Sequence, residues 1–293
     1  MQTLPDSVRL ESGRGGLRRL VVAAKQGEGE IYLHGGHVTH FQPRGQKPLL
    51  FMSGKSWFET GKPIRGGVPV CFPWFGTGHD GKHAPPHGFS RLVDWELASA
   101  NQRTDGSVDV QLKFASTDAT RRQWDADFEV DYRVTIGAVL AMEFSVRNTS
   151  LKPICIEEAL HTYLAVSDVR QVNVEGLANT RYSCTVPTPR NTTEGSAPIR
   201  IVEETDRIYW NTRSTCIVHD PAWKRRLVIE KTGSDTTVLW NPWIAKAKGM
   251  PDFGDDEWPF MLCIETCNVR DCAVIIQPGQ THTMTATVRA ESE

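Results

Sequence analysis

The chain has 293 residues, a formal net charge of −2 and 39% hydrophobic residues. That length buries a substantial core, and so small a charge leaves no global field to hold nucleic acid or an anionic membrane, so attraction for an anion must be local. No run reaches the roughly 20 apolar residues of a membrane helix, and the amino terminus carries Gln2, Asp6 and Arg9 instead of a basic-then-apolar signal, so a soluble cytoplasmic protein is expected.

In chain order, His34, His37 and His40 come first. On a strand the middle one points away from the other two, so no metal is expected there without a bulge. Next comes Ile64-Arg65-Gly66-Gly67-Val68-Pro69-Val70-Cys71-Phe72-Pro73-Trp74-Phe75, followed after a polar loop by His87-Gly88-Phe89-Ser90-Arg91. Prolines fix the backbone, glycines let it approach a ligand, and aromatic faces cover a small polar molecule, so the two arginines and the histidine outline a pocket for an anion. Arg65-Gly66-Gly67 lacks the helix and the Gly-Lys-Ser/Thr of a phosphate loop, so the arginines act by side chain. His79, His83 and His87 have helical spacing, but Gly81, Pro85 and Pro86 forbid a continuous helix.

Period-two alternation then predicts strands. Val108, Val110, Leu112 and Phe114 alternate with polar residues, as do Val130, Tyr132, Val134 and Ile136, and Leu140, Met142, Phe144 and Val146. Gly137-Ala138 reads as a hairpin turn whose glycine is free to take positive φ. Further strands are expected at 154–166, 215–219, 226–231, 236–240, 260–266, 272–277 and 282–289. The segment 180–200, with Pro187, Pro189, Asn191, Gly195 and Pro198, reads as a surface loop, with a domain boundary as the alternative. In 249–259, Asp252, Asp255, Asp256 and Glu257 lack the alternating oxygen ligands of a calcium loop and read as a solvated loop. Without long amphipathic helices, internal repeats or linkers, and with 24 glycines and 17 prolines, residues 1–293 are expected to form one all-β domain of stacked antiparallel sheets. Of the seven cysteines, Cys71, Cys155, Cys216 and Cys263 lie in apolar segments and are expected as free core thiols, and Cys263, Cys267 and Cys272 lack the spacing of a zinc site.

Two titratable residues stand out. His161 alternates out of phase with Ile154, Ile156, Leu160, Leu164 and Val166, which puts it with Glu157 and Tyr163 facing solvent or a polar cleft. Periodicity alone favours solvent. Glu265 interrupts the apolar run 260–264, where a carboxylate needs a charged partner or a task, the bland alternative being a salt bridge at the strand end. A histidine and a glutamate from distant strands make an acid and base pair of the right chemistry near neutral pH.

With these landmarks the chain resembles the aldose 1-epimerase superfamily, and within it the hexose-6-phosphate mutarotases, or glucose-6-phosphate 1-epimerases. The resemblance rests on Ile64–Pro69 with Phe72–Gly76, His87–Arg91, Ala159-Leu160-His161-Thr162-Tyr163, Thr205-Asp206-Arg207, Trp240-Asn241-Pro242-Trp243 and Cys263-Ile264-Glu265-Thr266, and covers nearly the whole chain. It implies a galactose-mutarotase-like β-supersandwich with a sugar site in an open cleft, His161 as general acid and Glu265 as general base. It further implies that Arg65, Arg91 and Asp206 line the substrate pocket. His87 either hydrogen-bonds the sugar or braces its loop, and Arg207 is expected beside Glu203 or Glu204. Pro86 stands where this family often has glutamine. The expected activity is anomer interconversion of a hexose 6-phosphate, needing no metal or redox cofactor. The expected partner is that small molecule alone, bound by a monomer with no nucleic acid or membrane. The rivals are an epimerase for unphosphorylated aldoses and a non-catalytic carbohydrate-binding sandwich.

Overall fold

In the computed structural model, which describes residues 4–186 and 188–293, the three alternating runs become adjacent strands. Gln2 and Pro187 lie outside the described residues. Val108–Ala115, Phe128–Ile136 and Leu140–Asn148 pair antiparallel, and their apolar residues all point into the core. Burying each contributes about 1.5–3 kcal/mol, and a one-residue slip would turn the set to solvent, so this burial fixes the register. These strands belong to a nine-stranded sheet. Its order is Ile199–Arg200, Asn173–Glu175, Cys216–Asp220, Arg225–Thr232, Thr281–Ser292, Leu140–Asn148, Phe128–Ile136, Val108–Ala115 and Glu96–Gln102.

The second large sheet has eight strands. Its order is Arg190–Thr193, Arg181–Cys184, Thr205–Trp210, Thr236–Asn241, Met261–Asn268, Glu158–Leu160 and Val70–Cys71, with Tyr163–Ala165 also pairing with Met261–Asn268. Leu239, Ile264, Leu160 and Val70 share one core with Val130, Phe144 and Val288 of the nine-stranded sheet. A four-stranded sheet of Val8–Ser12, Arg18–Ala23, Gly27–Tyr32 and His37–Pro43 adds Leu20, Val22, Ile31 and Phe41 to the same core. This is the stacked antiparallel architecture expected from the alternation. Among the described residues no helix is long and apolar enough to cross a membrane.

Several local expectations need correction. The stretch 154–166 is three short strands, Ile154–Ile156, Glu158–Leu160 and Tyr163–Ala165. The first pairs with Val274–Ile276 and the others with Met261–Asn268. The chain changes partners at Glu157, whose carboxylate accepts the Phe75 and Arg270 amides at 3.0 and 2.7 Å. Cys155 is exposed, because alternation sends it away from buried Ile154 and Ile156. Segment 180–200 is not a plain loop, since Arg181–Cys184 and Arg190–Thr193 form a hairpin at the sheet edge. Gly137 does sit in a hairpin turn but is absent from the positive-φ glycines. Its small size is what matters, because a Cβ there would lie 3.0 Å from Ser107 Cβ.

Candidate active site

The floor of the site is one face of the eight-stranded sheet. Asp206 pairs with Trp240, Trp240 with Cys263, and Cys263 with Tyr163, so these four side chains share a row and a face. Glu265 is two residues beyond Cys263 on that face. The register set by Leu160 opposite Thr266 and Tyr163 opposite Cys263 places His161 directly across from Glu265. His161 Nε2 lies 3.3 Å from Glu265 Oε1. The His161 amide donates to Pro69 O at 3.0 Å, and its ring stacks on Tyr163 at 4.8 Å and meets Trp240 edge-on at 6.0 Å.

Against the solvent-facing expectation, His161 is buried, at 7% exposure, and Glu265 at 1%. Alternation gave the face correctly but could not show that distant segments cover it. Burial disfavours both charges. It pushes Glu265 well above the ordinary carboxylate range, with Asp206 adding to the rise, and pushes His161 well below the usual imidazole value, with Arg65 and Arg91 adding to the fall. The pair therefore favours a single proton between them. His161 Nδ1 and Glu265 Oε2 are buried without a partner among the described residues.

Arg65 enters from the loop before Val70–Cys71. Gly66 and Gly67 have φ of 111° and 61°, and a Cβ would lie 2.5 Å from Phe51 O at the first and 2.2 Å from Val38 O at the second. Only glycine fits this close approach. Arg65 Nη1 donates to the Tyr163 hydroxyl at 3.0 Å, Nε donates to Asp252 Oδ2 at 3.1 Å, and Nη2 lies 3.0 Å from the same oxygen. Burial works against its charge, but Tyr163 and Asp252 hold its pKa above the usual value. Asp252 is itself buried and was read as part of a solvated loop, which the ion pair corrects. Its neighbours do fit that reading in part, since Asp255 and Asp256 are exposed. The apolar Phe253 beside Asp252 was the available signal.

Arg91 lies in a short 3-10 turn, Ser90–Leu92. It is brought to the site by the bridge between Phe72 and Gly88. Its Nη2 donates to Pro86 O at 2.7 Å, its Nε is buried without a partner, and no ion pair with a carboxylate is found among the described residues. Burial, with Arg65 nearby, lowers its pKa. His87 takes a left-handed φ of 66°, packs edge-on against Phe75 at 4.6 Å and faces the His161 ring at 5.9 Å. The Gly76 amide donates to its Nδ1 at 3.4 Å, which assigns the ring proton of neutral His87 to Nε2. Burial, then the Arg91 charge, pushes its pKa well below the usual value, so the neutral donor form holds.

Asp206 is half-buried on the same face as Glu265 and accepts a hydrogen bond from Thr185 Oγ1 at 2.8 Å. Arg207 alternates to the opposite face. It pairs with Glu194 at 3.0 Å and stacks over Tyr182 at 5.1 Å, so the expected partners Glu203 and Glu204 are not the ones it uses. The early histidines hold separate tasks, with His34 bonded to Lys62 O, His37 to Gly66 O, and His40 beside Glu28. His83 stacks on Trp74 at 4.6 Å. Tyr163 and Trp240 frame His161 and were recognised in sequence only as a same-face residue and a motif member. The structure thus gathers His161, Glu265, Arg65, Arg91, His87 and Asp206 and leaves Arg207 out. A buried acid and base pair under two guanidinium groups can exchange protons with a polar, anionic molecule.

The sequence profile described as "Aldose 1-epimerase" matches residues 19–289. This chain belongs to the aldose 1-epimerase family. It is accordingly an isomerase acting on small-molecule sugars. A protein of Cenchrus ciliaris named "Putative glucose-6-phosphate 1-epimerase" is 36% identical over 276 residues, covering 90% of this chain and 82% of its own length. One of the same name from Escherichia coli strain K12 is 28% identical over 263 residues, covering 90% of this chain and 87% of its own. The crystal structure of a "putative mutarotase (YeaD)" from Salmonella typhimurium superposes with a TM-score of 0.92 at 26% identity, covering 100% of this chain and 96% of that one. A galactose mutarotase-like protein of Clostridium acetobutylicum shares the fold at a TM-score of 0.74 and 15% identity, over 98% of each chain. Within the aldose 1-epimerase family the expected supersandwich is therefore the fold observed.

Proposed function

We propose that this epimerase interconverts the α and β anomers of a hexose 6-phosphate, chiefly glucose 6-phosphate, with His161 as general acid and Glu265 as general base. The observation that carries the phosphate is Arg91, a buried guanidinium with a free Nε and no carboxylate partner among the described residues, beside the acid and base pair. A phosphate oxygen accepts such a donor as a charge-assisted bond. Arg65, whose fork is held by Asp252, adds a second guanidinium nearby, Asp206 a hydroxyl acceptor, and His87 an Nε2 proton for the sugar. The relatives named for glucose 6-phosphate support the same substrate. The core cluster running from Val8 to Val288 supports treating the whole chain as one domain.

In the reaction Glu265 takes the proton of the anomeric hydroxyl while His161 gives one to the ring oxygen. The bond from C1 to the ring oxygen breaks, a C1 carbonyl forms, and the open aldehyde rotates about C1–C2. Reclosure on the other face returns both protons and yields the opposite anomer. Ring opening leaves Glu265 protonated and His161 neutral, the arrangement that burial favours. Before ring opening the proton must sit on His161, and a bound phosphate helps by offsetting the Arg65 and Arg91 charges that oppose it.

Magnetisation-exchange NMR between the anomers of glucose 6-phosphate, with glucose as control, tests this reading. His161→Ala and Glu265→Gln are each expected to slow protein-catalysed exchange on the order of 10²- to 10⁴-fold. Wild-type protein that leaves glucose 6-phosphate exchange unaccelerated would refute the activity, and equal acceleration of glucose would refute the phosphate assignment.

A further inference from the structure

The same face of the sheet places a thiol beside the acid and base pair. Cys263 and Glu265 are two residues apart on one strand, so both project toward His161 across the ladder. A ring nitrogen of His161, Cys263 Sγ and a Glu265 oxygen all lie within 4.8 Å of one another, and all three residues are buried. Glu265 Oε2, on a residue 1% exposed, has no partner among the described residues. We propose that His161, Cys263 and Glu265 form a binding site for a borderline-soft divalent cation of the Zn²⁺ type, whose occupancy reversibly switches the enzyme off.

The donor set decides the class of ion. Imidazole, thiolate and carboxylate together suit Zn²⁺, whereas Mg²⁺ and Ca²⁺ call for oxygen alone. Two ligands about 2.0–2.1 Å from a tetrahedral ion stand about 3.3–3.4 Å apart. The observed separation of His161 Nε2 and Glu265 Oε1 is 3.3 Å. The thiol needs only to move inward, and solvent or a sugar hydroxyl completes the fourth position. Asp252 pairs with Arg65, and the remaining local opposition to a cation comes from Arg65 and Arg91 together, as it does for a proton on His161.

The balance is simple. The ion gains bonds to nitrogen, sulfur and oxygen, while the Cys263 thiol proton and the proton held by the His161–Glu265 pair leave to solvent. With those lone pairs engaged, neither proton transfer to the sugar can occur. This site does not depend on the sugar's carrying phosphate, nor on His161 and Glu265 being the catalytic pair, except for the inhibition it causes.

Binding is read with Co²⁺ added to the full chain in phosphate-free buffer. A near-ultraviolet thiolate-to-cobalt band saturating at one ion per chain and displaced by Zn²⁺ is the expected result. Cys263→Ser is expected to abolish the band, and His161→Ala, which keeps the thiol, to weaken binding about 100-fold or more, since even outer-shell losses cost 10–100-fold. Anomer exchange by the wild type is expected to fall with Zn²⁺ and return with EDTA, while whatever exchange Cys263→Ser retains is expected to lose the sensitivity. No cobalt band with wild-type protein, a band that survives Cys263→Ser, or equal Zn²⁺ sensitivity in that variant overturns the site. The cobalt spectrum uses no substrate, so it separates failure of this site from failure of the proposed activity.

Discussion

Arg65 and Arg91 differ in how much of their charge is free for a ligand. Arg65 is committed to Asp252 and Tyr163, whereas Arg91 spends one nitrogen on a backbone carbonyl. Hydrogen bonds to charged groups contribute about 1.5–3 kcal/mol, or roughly 10- to 100-fold. Arg91→Met is therefore expected to lower kcat/KM for glucose 6-phosphate by that factor while costing glucose much less, and Arg65→Met to cost less than Arg91→Met. Equal losses on both sugars would remove Arg91 from phosphate recognition. The pH profile follows from the same charges. As the proposed base Glu265 must be ionised, and its raised pKa leaves most of the pair's single proton on its carboxyl. As the proposed acid His161 must be protonated, and its lowered pKa makes the productive form, imidazolium with carboxylate, a small fraction of the singly protonated pair. Because the pair titrates as a unit, activity toward glucose should follow the singly protonated pair, level while one proton is held and falling when a second is gained at low pH or the last is lost at high pH. Arg91→Met removes a charge that opposes His161 protonation, so its alkaline limb for glucose should shift upward. A limb that stays in place in NMR exchange rates across pH would contradict this coupling.

At the level of elements, the loop carrying Arg91 is held by the close backbone approach of Gly88 to Phe72, supported by the Ser90 hydroxyl donating to Val70 O at 2.6 Å. Gly88 has φ of 75°, and a Cβ there would lie 2.0 Å from Phe72 O. A left-handed alanine costs about 1–2 kcal/mol before the clash is relieved, and each kcal/mol shifts Tm by roughly 2–4 °C in a large domain. Gly88→Ala is expected to lower Tm by several degrees and to erode the preference for the phosphorylated sugar; wild-type values of both would show that the bridge does not position Arg91. Strands of the nine-stranded sheet were legible where burial imposes period two, as at Val108–Phe114 and Leu140–Val146, whereas Thr236–Asn241 and Met261–Asn268 of the eight-stranded sheet are buried on both faces and carry no such alternation. His161 was legible as to face and not as to environment, because its cover comes from residues around 69 and 87, far away in sequence. Asp252 was hidden inside an acidic run, where charge alone cannot separate a buried counter-ion from its exposed neighbours. Arg207 followed the opposite course, since its alternation with Asp206 was available and already directed it to the other face.

At the scale of the whole molecule, His282 joins the two large sheets. It lies on Thr281–Ser292 of the nine-stranded sheet, with Nε2 2.8 Å from Oε1 of fully buried Glu158 in the other. Asn268 Nδ2 donates to the same carboxylate oxygen at 2.8 Å. Burial opposes the His282 charge, but the Glu158 hydrogen bond prevails and raises its pKa. Its contribution to stability is therefore complete below the unfolded value of about 6.5 and is lost as pH rises through the raised folded value. His282→Ala should destabilise the protein more at about pH 6 than at about pH 9 in urea unfolding; a loss independent of pH would rule out the charged pair. Tryptophan fluorescence and far-ultraviolet dichroism should give coincident unfolding curves if both sheets form one domain. The position of His161 across from Glu265 carries a different consequence, for how such an enzyme can change. On the proposed roles, strand spacing acts as a ruler for proton transfer, and a single inserted residue between Leu160 and Tyr163 would turn the imidazole away. Arg65 and Arg91 hang on loops outside that ruler, so new substrates are accessible through loop substitutions while the reacting pair keeps its gauge.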